Sequence, residues 1–307
     1  MTTRPNFPVV STAWSLLVLA IVSAAGFAQE GEQAGEGAGE EAGIRDNSFL
    51  LEEAFNQEQG VVQHIFNWVP SWERDGVRGN AFDFVFTQEW PVFSQRHQFS
   101  YTLPMLYQFE QAPGEPSFEG QGFGDMLLNY RFQALDGKVG GWWAAPRFSV
   151  ILPTGDEQDG LGNGEVGYQV NLPLSKEFER WAVHLNAGLT IIPGVGAGID
   201  PGLSPLVARD LNGYNLGGSA IYFLRPNFHL MLENVAIWDE ELEPDATEVQ
   251  TFEYLLSPGF RWAPFTEGDT QWVIGAAVPI GLSEDAPDLS AFLYMSFEHR
   301  VRAKRCE

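Results

Sequence analysis

The chain has 307 residues, a formal net charge of −24 and an aromatic content of 13%. A hydrophobic content of 44% argues against disorder over most of the length. The acidic balance, with only 17 Lys and Arg, argues against nucleic acid as a partner, because phosphates would be repelled. The single cysteine, Cys306, excludes an internal disulfide.

The N-terminus has the pattern of a secretory signal. Arg4 supplies a positive charge, residues 14–26 form an apolar run, and Gly26-Phe27-Ala28 is a small-x-small cleavage site. The pattern predicts a signal peptide over residues 1–28. The alternative is an uncleaved anchor, but the run is short for a spanning helix and polar residues follow at once.

Two further segments precede the regular part of the chain. Residues 29–43 are Gly, Ala, Glu and Gln without apolar periodicity, which predicts a disordered linker. Residues 44–60 contain an amphipathic stretch in which Leu51 and Phe55 share one face. A segment this short cannot hold a helix alone in water, so it needs an apolar surface to pack on.

The acidic side chains of this segment suggest where it packs. Glu52, Glu53 and Glu58 make an anionic membrane surface a poor host. We expect the segment to enter a barrel lumen as a plug, where three arginines could pair with these carboxylates: Arg131, Arg147 and Arg261. The alternative is a periplasmic tail that binds another envelope protein.

From Val61 onward, apolar and polar residues alternate with the period of two that is typical of strands. In residues 125–134, Met126, Leu128 and Tyr130 oppose Asn129 and Arg131. We predict twelve such strands, each long enough to cross a bilayer at a tilt. They lie at about 61–72, 81–90, 97–109, 122–134, 141–152, 164–175, 181–192, 213–224, 228–238, 250–263, 271–280 and 289–300.

The predicted fold is therefore all-β, a transmembrane up-and-down antiparallel barrel over residues 61–300, followed by a C-terminal tail, 301–307. Connections after odd-numbered strands are longer than the others and carry a summed charge of −16. Long outer loops and short periplasmic turns are typical of the bacterial outer membrane, which is the predicted location. We expect its lipid and lipopolysaccharide as partners, the latter bridged by Ca²⁺ or Mg²⁺ to the acidic loops. The alternative is that these loops attract cations to the mouth of the barrel.

Five prolines conflict with regular strands, since proline cannot donate to the ladder and a closed barrel has no free edge. We expect β-bulges where they occur. These prolines are Pro104, Pro146, Pro173, Pro258 and Pro279.

The alternation assigns ten ionisable residues to the lumen. They are either cross-strand ion pairs that fill a wet lumen or a selectivity lining, and both roles are compatible. The ten are Asp83, Glu89, Asp125, Arg131, Arg147, Glu165, His184, Glu233, Glu253 and Arg261.

Two acidic loops are weak candidates for Ca²⁺, because carboxylates on a Gly-rich turn suit a hard cation. The first contains Asp156, Asp159 and Glu165, and the second contains Glu240, Glu241, Glu243, Asp245 and Glu248. Neither has the EF-hand spacing, so a solvated loop is the alternative. No cofactor is otherwise expected.

Two stretches carry a family resemblance: 122–132, with the sequence GFGDMLLNYRF, and 146–176, which opens PRFSVILPTGD. They resemble the outer-membrane family of transporters assigned to the meta-pathway of phenol degradation. The resemblance implies a barrel and, loosely, uptake of small aromatic or other apolar compounds.

The function favoured at this stage is passive passage of a small-molecule solute, without enzymatic activity. The alternative is a structural or surface-binding barrel with a filled lumen. A more distant alternative is a barrel-embedded hydrolase, in which His184 would pair with a serine.

Overall fold

The structure is a computed structural model that describes residues 44, 46–73, 78–111, 117–138, 140–196, 208–242, 247–267 and 270–301. The predicted signal peptide and linker, and nearly all of the C-terminal tail, lie outside the described residues. Among the described residues, no helix is long and apolar enough to cross a membrane.

Within these described ranges, the regular structure consists of seventeen strands and one 3₁₀ turn at Glu157–Asp159. The strands are β1 (Val61–Glu73), β2 (Arg78–Val92), β3 (Ser94–Gln111), β4 (Phe118–Phe123), β5 (Met126–Phe132), β6 (Leu135–Asp136), β7 (Trp142–Ala144), β8 (Arg147–Leu152), β9 (Gly167–Glu177), β10 (Trp181–Gly196), β11 (Ala208–Arg225), β12 (Phe228–Leu242), β13 (Glu248–Glu267), β14 (Thr270–Ala277), β15 (Ile280–Gly281), β16 (Leu289–Ser290) and β17 (Phe292–Arg300).

These strands form a closed antiparallel barrel of twelve staves. We call a stave one strand, or one row of consecutive short strands, that crosses the barrel wall once. Eight staves are single strands; the other four are β4–β6, β7–β8, β14–β15 and β16–β17, each interrupted along its length. Closure is direct, because β1 pairs with β2 on one side and with β16 and β17 on the other. The predicted twelve-stranded, up-and-down barrel is confirmed.

Burial follows the predicted alternation along each stave. In β5, Leu127, Asn129 and Arg131 are buried inside, whereas Tyr130 is exposed on the outer face. Most strands run a few residues beyond the predicted ends, and the six connections at one end are on average longer than the five turns at the other. We call these ends the long-loop end and the short-turn end.

The prolines coincide with the stave interruptions. At Pro104 the expected bulge is present, because Met105 faces Phe123 but Thr102 faces Leu127, which leaves one extra residue on the β4–β5 side. At Pro146 the expected bulge is also present, because Arg131 faces Arg147 but Leu135 faces Ala144, which leaves one extra residue on the β5–β6 side. At Pro173, Pro258 and Pro279 the expectation of bulges is wrong, because the register is unchanged there.

The outer face is apolar and rich in aromatic rings. Exposed aromatics near the short-turn end include Trp181 and Trp272, and those nearer the long-loop end include Phe252 and Tyr214. Two aromatic girdles around an apolar band match the two interfaces of a bilayer.

Candidate functional site: the lumen and its N-terminal segment

The described part of residues 44–60 lies inside the barrel and contacts most of its inner wall. It begins at Ile44, whose N–H donates to the Pro226 carbonyl (3.1 Å), and ends at Gly60, whose carbonyl accepts from Val301 N–H (2.8 Å). Both ends therefore lie at the short-turn end. Every described residue from 46 to 57 is buried, so we call residues 44–57 the lumen segment.

Glu52 is the electrostatic centre of this segment. Its Oε1 lies 2.7 Å from Arg147 Nε and accepts from Asn171 Nδ2 (2.7 Å), while Oε2 lies 3.1 Å from Arg131. Its backbone is held as well, because the Asn186 side chain accepts from its N–H and donates to its carbonyl. Buried charges of this kind are stable only when they are paired and hydrogen-bonded on all sides.

Glu53 pairs with the third arginine of the lumen. Its Oε1 lies 2.9 Å from Arg261, and it also accepts from the Ser48 hydroxyl (3.1 Å). Arg261 in addition donates to the carbonyls of Asp46 and Asn47. Burial raises the pKa of Glu53 above its usual range, and the positive charge of Arg261 opposes the rise.

Asp46 is bound by neutral donors. Its carboxylate accepts from Tyr294 OH (2.5 Å), Gln63 Nε2 (2.8 Å) and the Ser296 hydroxyl. Burial raises the pKa of Asp46, whereas the hydrogen bonds from Ser296 and Tyr294 and the charge of Arg261 oppose the rise. Sequence analysis missed Asp46, because one acidic residue before an irregular segment gives no periodic signal.

An apolar contact also anchors the segment to β17. Phe49 stacks on Phe292 with ring centroids 5.2 Å apart and packs on Tyr294 at the same centroid distance. Two glycines of the wall make room for this contact, since a Cβ on Gly275 would overlap Phe49 and one on Gly217 would overlap Leu51. The backbone N–H groups of Phe49 and Leu50 both donate to Glu233.

The structure places nine of the ten predicted lining residues inside the barrel and buries them: Asp83, Glu89, Asp125, Arg131, Arg147, His184, Glu233, Glu253 and Arg261. Glu165 is exposed and precedes β9, so it does not join them. The three arginines and Glu233 contact the lumen segment, as expected for Glu52 and Glu53. Glu58 pairs instead with Arg300, where both side chains are partly exposed.

Sequence analysis also left out the uncharged lining residues. Asn171, Asn186 and Gln133 also hydrogen-bond to the segment, and Gln133 accepts from Asn56 N–H (2.9 Å). Their inward positions follow from the same alternation, so the signal was present in the sequence.

His184 pairs with a serine, as the hydrolase alternative requires. Ser175 Oγ lies 2.7 Å from His184 Nδ1, and Glu53 Oε1 lies 3.7 Å from His184 Nε2. All three residues are buried, however, and the Ser175 hydroxyl accepts from Ala54 N–H (2.7 Å). The serine therefore supports the lumen segment and is not open to a substrate.

The loop between β8 and β9 folds against the inner wall. Asp125 accepts from the N–H groups of Gly155 (2.9 Å) and Asn163 (3.1 Å). Leu161 packs into an apolar cluster with Val85, Leu106, Leu127 and Ile151. Loop and wall are thus joined on the side nearer the long-loop end.

The Ca²⁺ candidates remain separate from this contact. Within the described residues, no three His, Cys, Asp or Glu side chains converge on a common point. Asp156 and Asp159 are exposed. Of the second acidic group, Glu240 and Glu241 belong to β12, where Glu240 accepts from Asn212, and Glu243 and Asp245 lie outside the described residues.

The fold and its aromatic girdles define a transmembrane β-barrel of the bacterial outer-membrane class. The model of the family described as the MetA-pathway of phenol degradation matches residues 55–193. This match confirms the resemblance found in 122–132 and 146–176 and extends it over the first seven staves. No curated protein matches the chain.

Solved structures that are similar to this chain include an outer-membrane channel and a porin. The COG4313 outer membrane channel from Pseudomonas putida F1 is 13% identical, with a TM-score of 0.59 over 79% of this chain and 96% of that chain. The NanC porin is 8% identical, with a TM-score of 0.44 over 78% of this chain and 100% of that chain. At this level of identity, the first of these supports the fold alone.

Proposed function

We propose that this protein is an outer-membrane channel for a small solute and that the lumen segment closes its short-turn half. The observation that carries the proposal is the pairing of Glu52 with Arg131 and Arg147 in the barrel interior. A segment that crosses the lumen and pairs with charges on its wall blocks the path of a solute, whatever the solute is.

The way in which the segment is held is compatible with release. Its polar contacts use side chains that water could solvate if the segment left, because the lumen would then fill with water. Both of its ends lie at the short-turn end, so it can withdraw without threading through the barrel. The family resemblance adds, as a proposal, that the solute is aromatic or otherwise largely apolar.

The alternative of a structural barrel with a permanently filled lumen is favoured by the near-complete burial of the inward side chains. Deletion of residues 44–57 separates the two functions. A channel requires that the deletion variant form steady pores in planar bilayers with higher conductance than the full chain. Heat-dependent migration on gels would verify that the variant barrel is folded.

Unchanged, near-zero conductance in a folded deletion variant would reject the channel. A large conductance in the full chain, unaltered by the deletion, would reject the segment as its closure and leave the channel itself standing.

A further inference from the structure

The three buried arginines among the described residues all lie in the short-turn half of the lumen, where they contact the lumen segment. Beyond the segment, the buried ionisable side chains described on the wall are carboxylates: Asp83, Asp125, Glu241 and Glu253. The described wall that faces the space beyond the segment is therefore anionic.

Two acceptor groups in this space stand out. Asp83 is 3% exposed and Asn67 is 4% exposed. Neither Asp83 Oδ2 nor Asn67 Oδ1 has a hydrogen-bond partner among the described residues. A buried acceptor without a donor costs free energy, more so when it is charged, so a ligand or water that brings donors is favoured there.

The register places the two groups side by side. Asp83 faces Val69 and Asn67 faces Val85 across the same β1–β2 ladder, which makes Asp83 and Asn67 diagonal neighbours on the inner face. One small group with several donors can reach both of them.

The surroundings of the pair are apolar. On its other side Asp83 faces Leu106, and all three aliphatic residues, Val69, Val85 and Leu106, are buried. On its other side Asn67 faces Tyr294, whose ring packs on Phe49 of the lumen segment. The pair thus lies at mid-height, directly beyond the segment.

We propose that Asp83 and Asn67 bind the ammonium group of a small amine whose apolar or aromatic body packs on Val69, Val85 and Leu106, where it takes the place of Leu161 of the loop between β8 and β9. An ammonium group has three donors and no acceptor, which complements a carboxylate beside an amide oxygen. A metal ion fits less well, since hard cations require six or more oxygen ligands and the two side chains supply few. This inference names the solute class of the proposed channel and therefore rests on that function.

Calorimetric titration of the full chain in detergent tests the site directly, with benzylammonium as the probe. Benzyl alcohol and benzoate are matched neutral and anionic probes of similar size. We expect benzylammonium to bind about tenfold or more tightly than either, and Asp83→Asn to remove that preference by weakening benzylammonium to the same degree. Asn67→Ala should weaken it severalfold, and Glu119→Gln, which removes an exposed carboxylate, should change it less than twofold.

Equal binding of the three probes, or undiminished benzylammonium binding to Asp83→Asn, would overturn the inference. If Asp83→Asn did not fold, the probe comparison on the unmodified chain and the Asn67→Ala result would still decide the matter. The test is separable from the channel proposal. Pores without amine preference contradict only the site, and amine binding without pores in the deletion variant contradicts only the channel.

Discussion

Glu52 Oε1 lies 2.7 Å from Arg147 Nε, inside the barrel and away from solvent. Glu52 comes from the irregular segment before the first strand, and Arg147 comes from β8. Arg131 of β5 completes the arrangement at 3.1 Å, so one carboxylate forms ion pairs with two wall arginines. The stability of the closed lumen depends on this contact more than on any exposed pair.

Glu52→Gln should open the channel. The variant removes the carboxylate that both Arg131 and Arg147 contact, which costs roughly 3 kcal/mol or more of segment docking. A change of that size shifts the closed-to-open ratio on the order of a hundredfold. Open probability in planar bilayers is the measurement. Glu58→Gln, which breaks the partly exposed pair with Arg300, is the matched control and should have little effect.

Gly275→Ala should displace the lumen segment, because the added methyl group meets the Phe49 ring. The same methyl group also approaches the Phe260 carbonyl, so some loss of barrel stability is expected in any background. A second measurement in the 44–57 deletion variant isolates the first effect. We expect Gly275→Ala to raise the conductance of the full chain and not that of the deletion variant; a rise in both would show that the wall itself has changed.

Asp125→Ala should loosen the loop between β8 and β9. The variant removes the acceptor for the Gly155 and Asn163 N–H groups, at a cost of about 1–3 kcal/mol, and so weakens the attachment of the loop to the wall. Faster cleavage within 153–166 by an added protease checks this. Asp156→Ala, an exposed carboxylate in the same loop, is the control, and equal cleavage rates for both variants would contradict the role given to Asp125.

A fluorophosphonate probe should leave Ser175 unlabelled in the full chain. The hydroxyl is buried and accepts from Ala54 N–H, although His184 is well placed to activate it. Mass spectrometry of the folded protein after treatment is the measurement, with a known serine hydrolase in the same reaction as a positive control. Labelling at Ser175 would revive the hydrolase alternative.

Much of the barrel could be predicted from the sequence, because a wall with lipid on one side and a lumen on the other enforces a period of two. This period placed Arg131 and Arg147 inside and Tyr130 outside. The strand ends were less predictable, since the strands extend past the bilayer. Glu240 and Glu241 therefore belong to β12, although the sequence suggested a loop.

The site was predictable in its charges and not in its details. The wall arginines and the carboxylates of the segment had to neutralise one another, which gave the partners of Glu52 and Glu53. The actual pairing depends on the path of an irregular segment, which no periodicity determines. For that reason Asp46 was missed, and Glu58 was assigned to the lumen when it pairs near the rim with Arg300.

The most direct test of the closed lumen is a reversible lock. The hydroxyl oxygens of Ser48 and Ser219 lie 3.3 Å apart, which suits a disulfide between the lumen segment and β11. Ser48→Cys with Ser219→Cys is made in a Glu52→Gln background, with Cys306→Ser to remove the native thiol, and each single cysteine serves as a control. We predict that the oxidised protein stays closed and that dithiothreitol restores the conductance of Glu52→Gln. A disulfide verified by mass spectrometry that leaves the conductance unchanged would contradict closure by the segment.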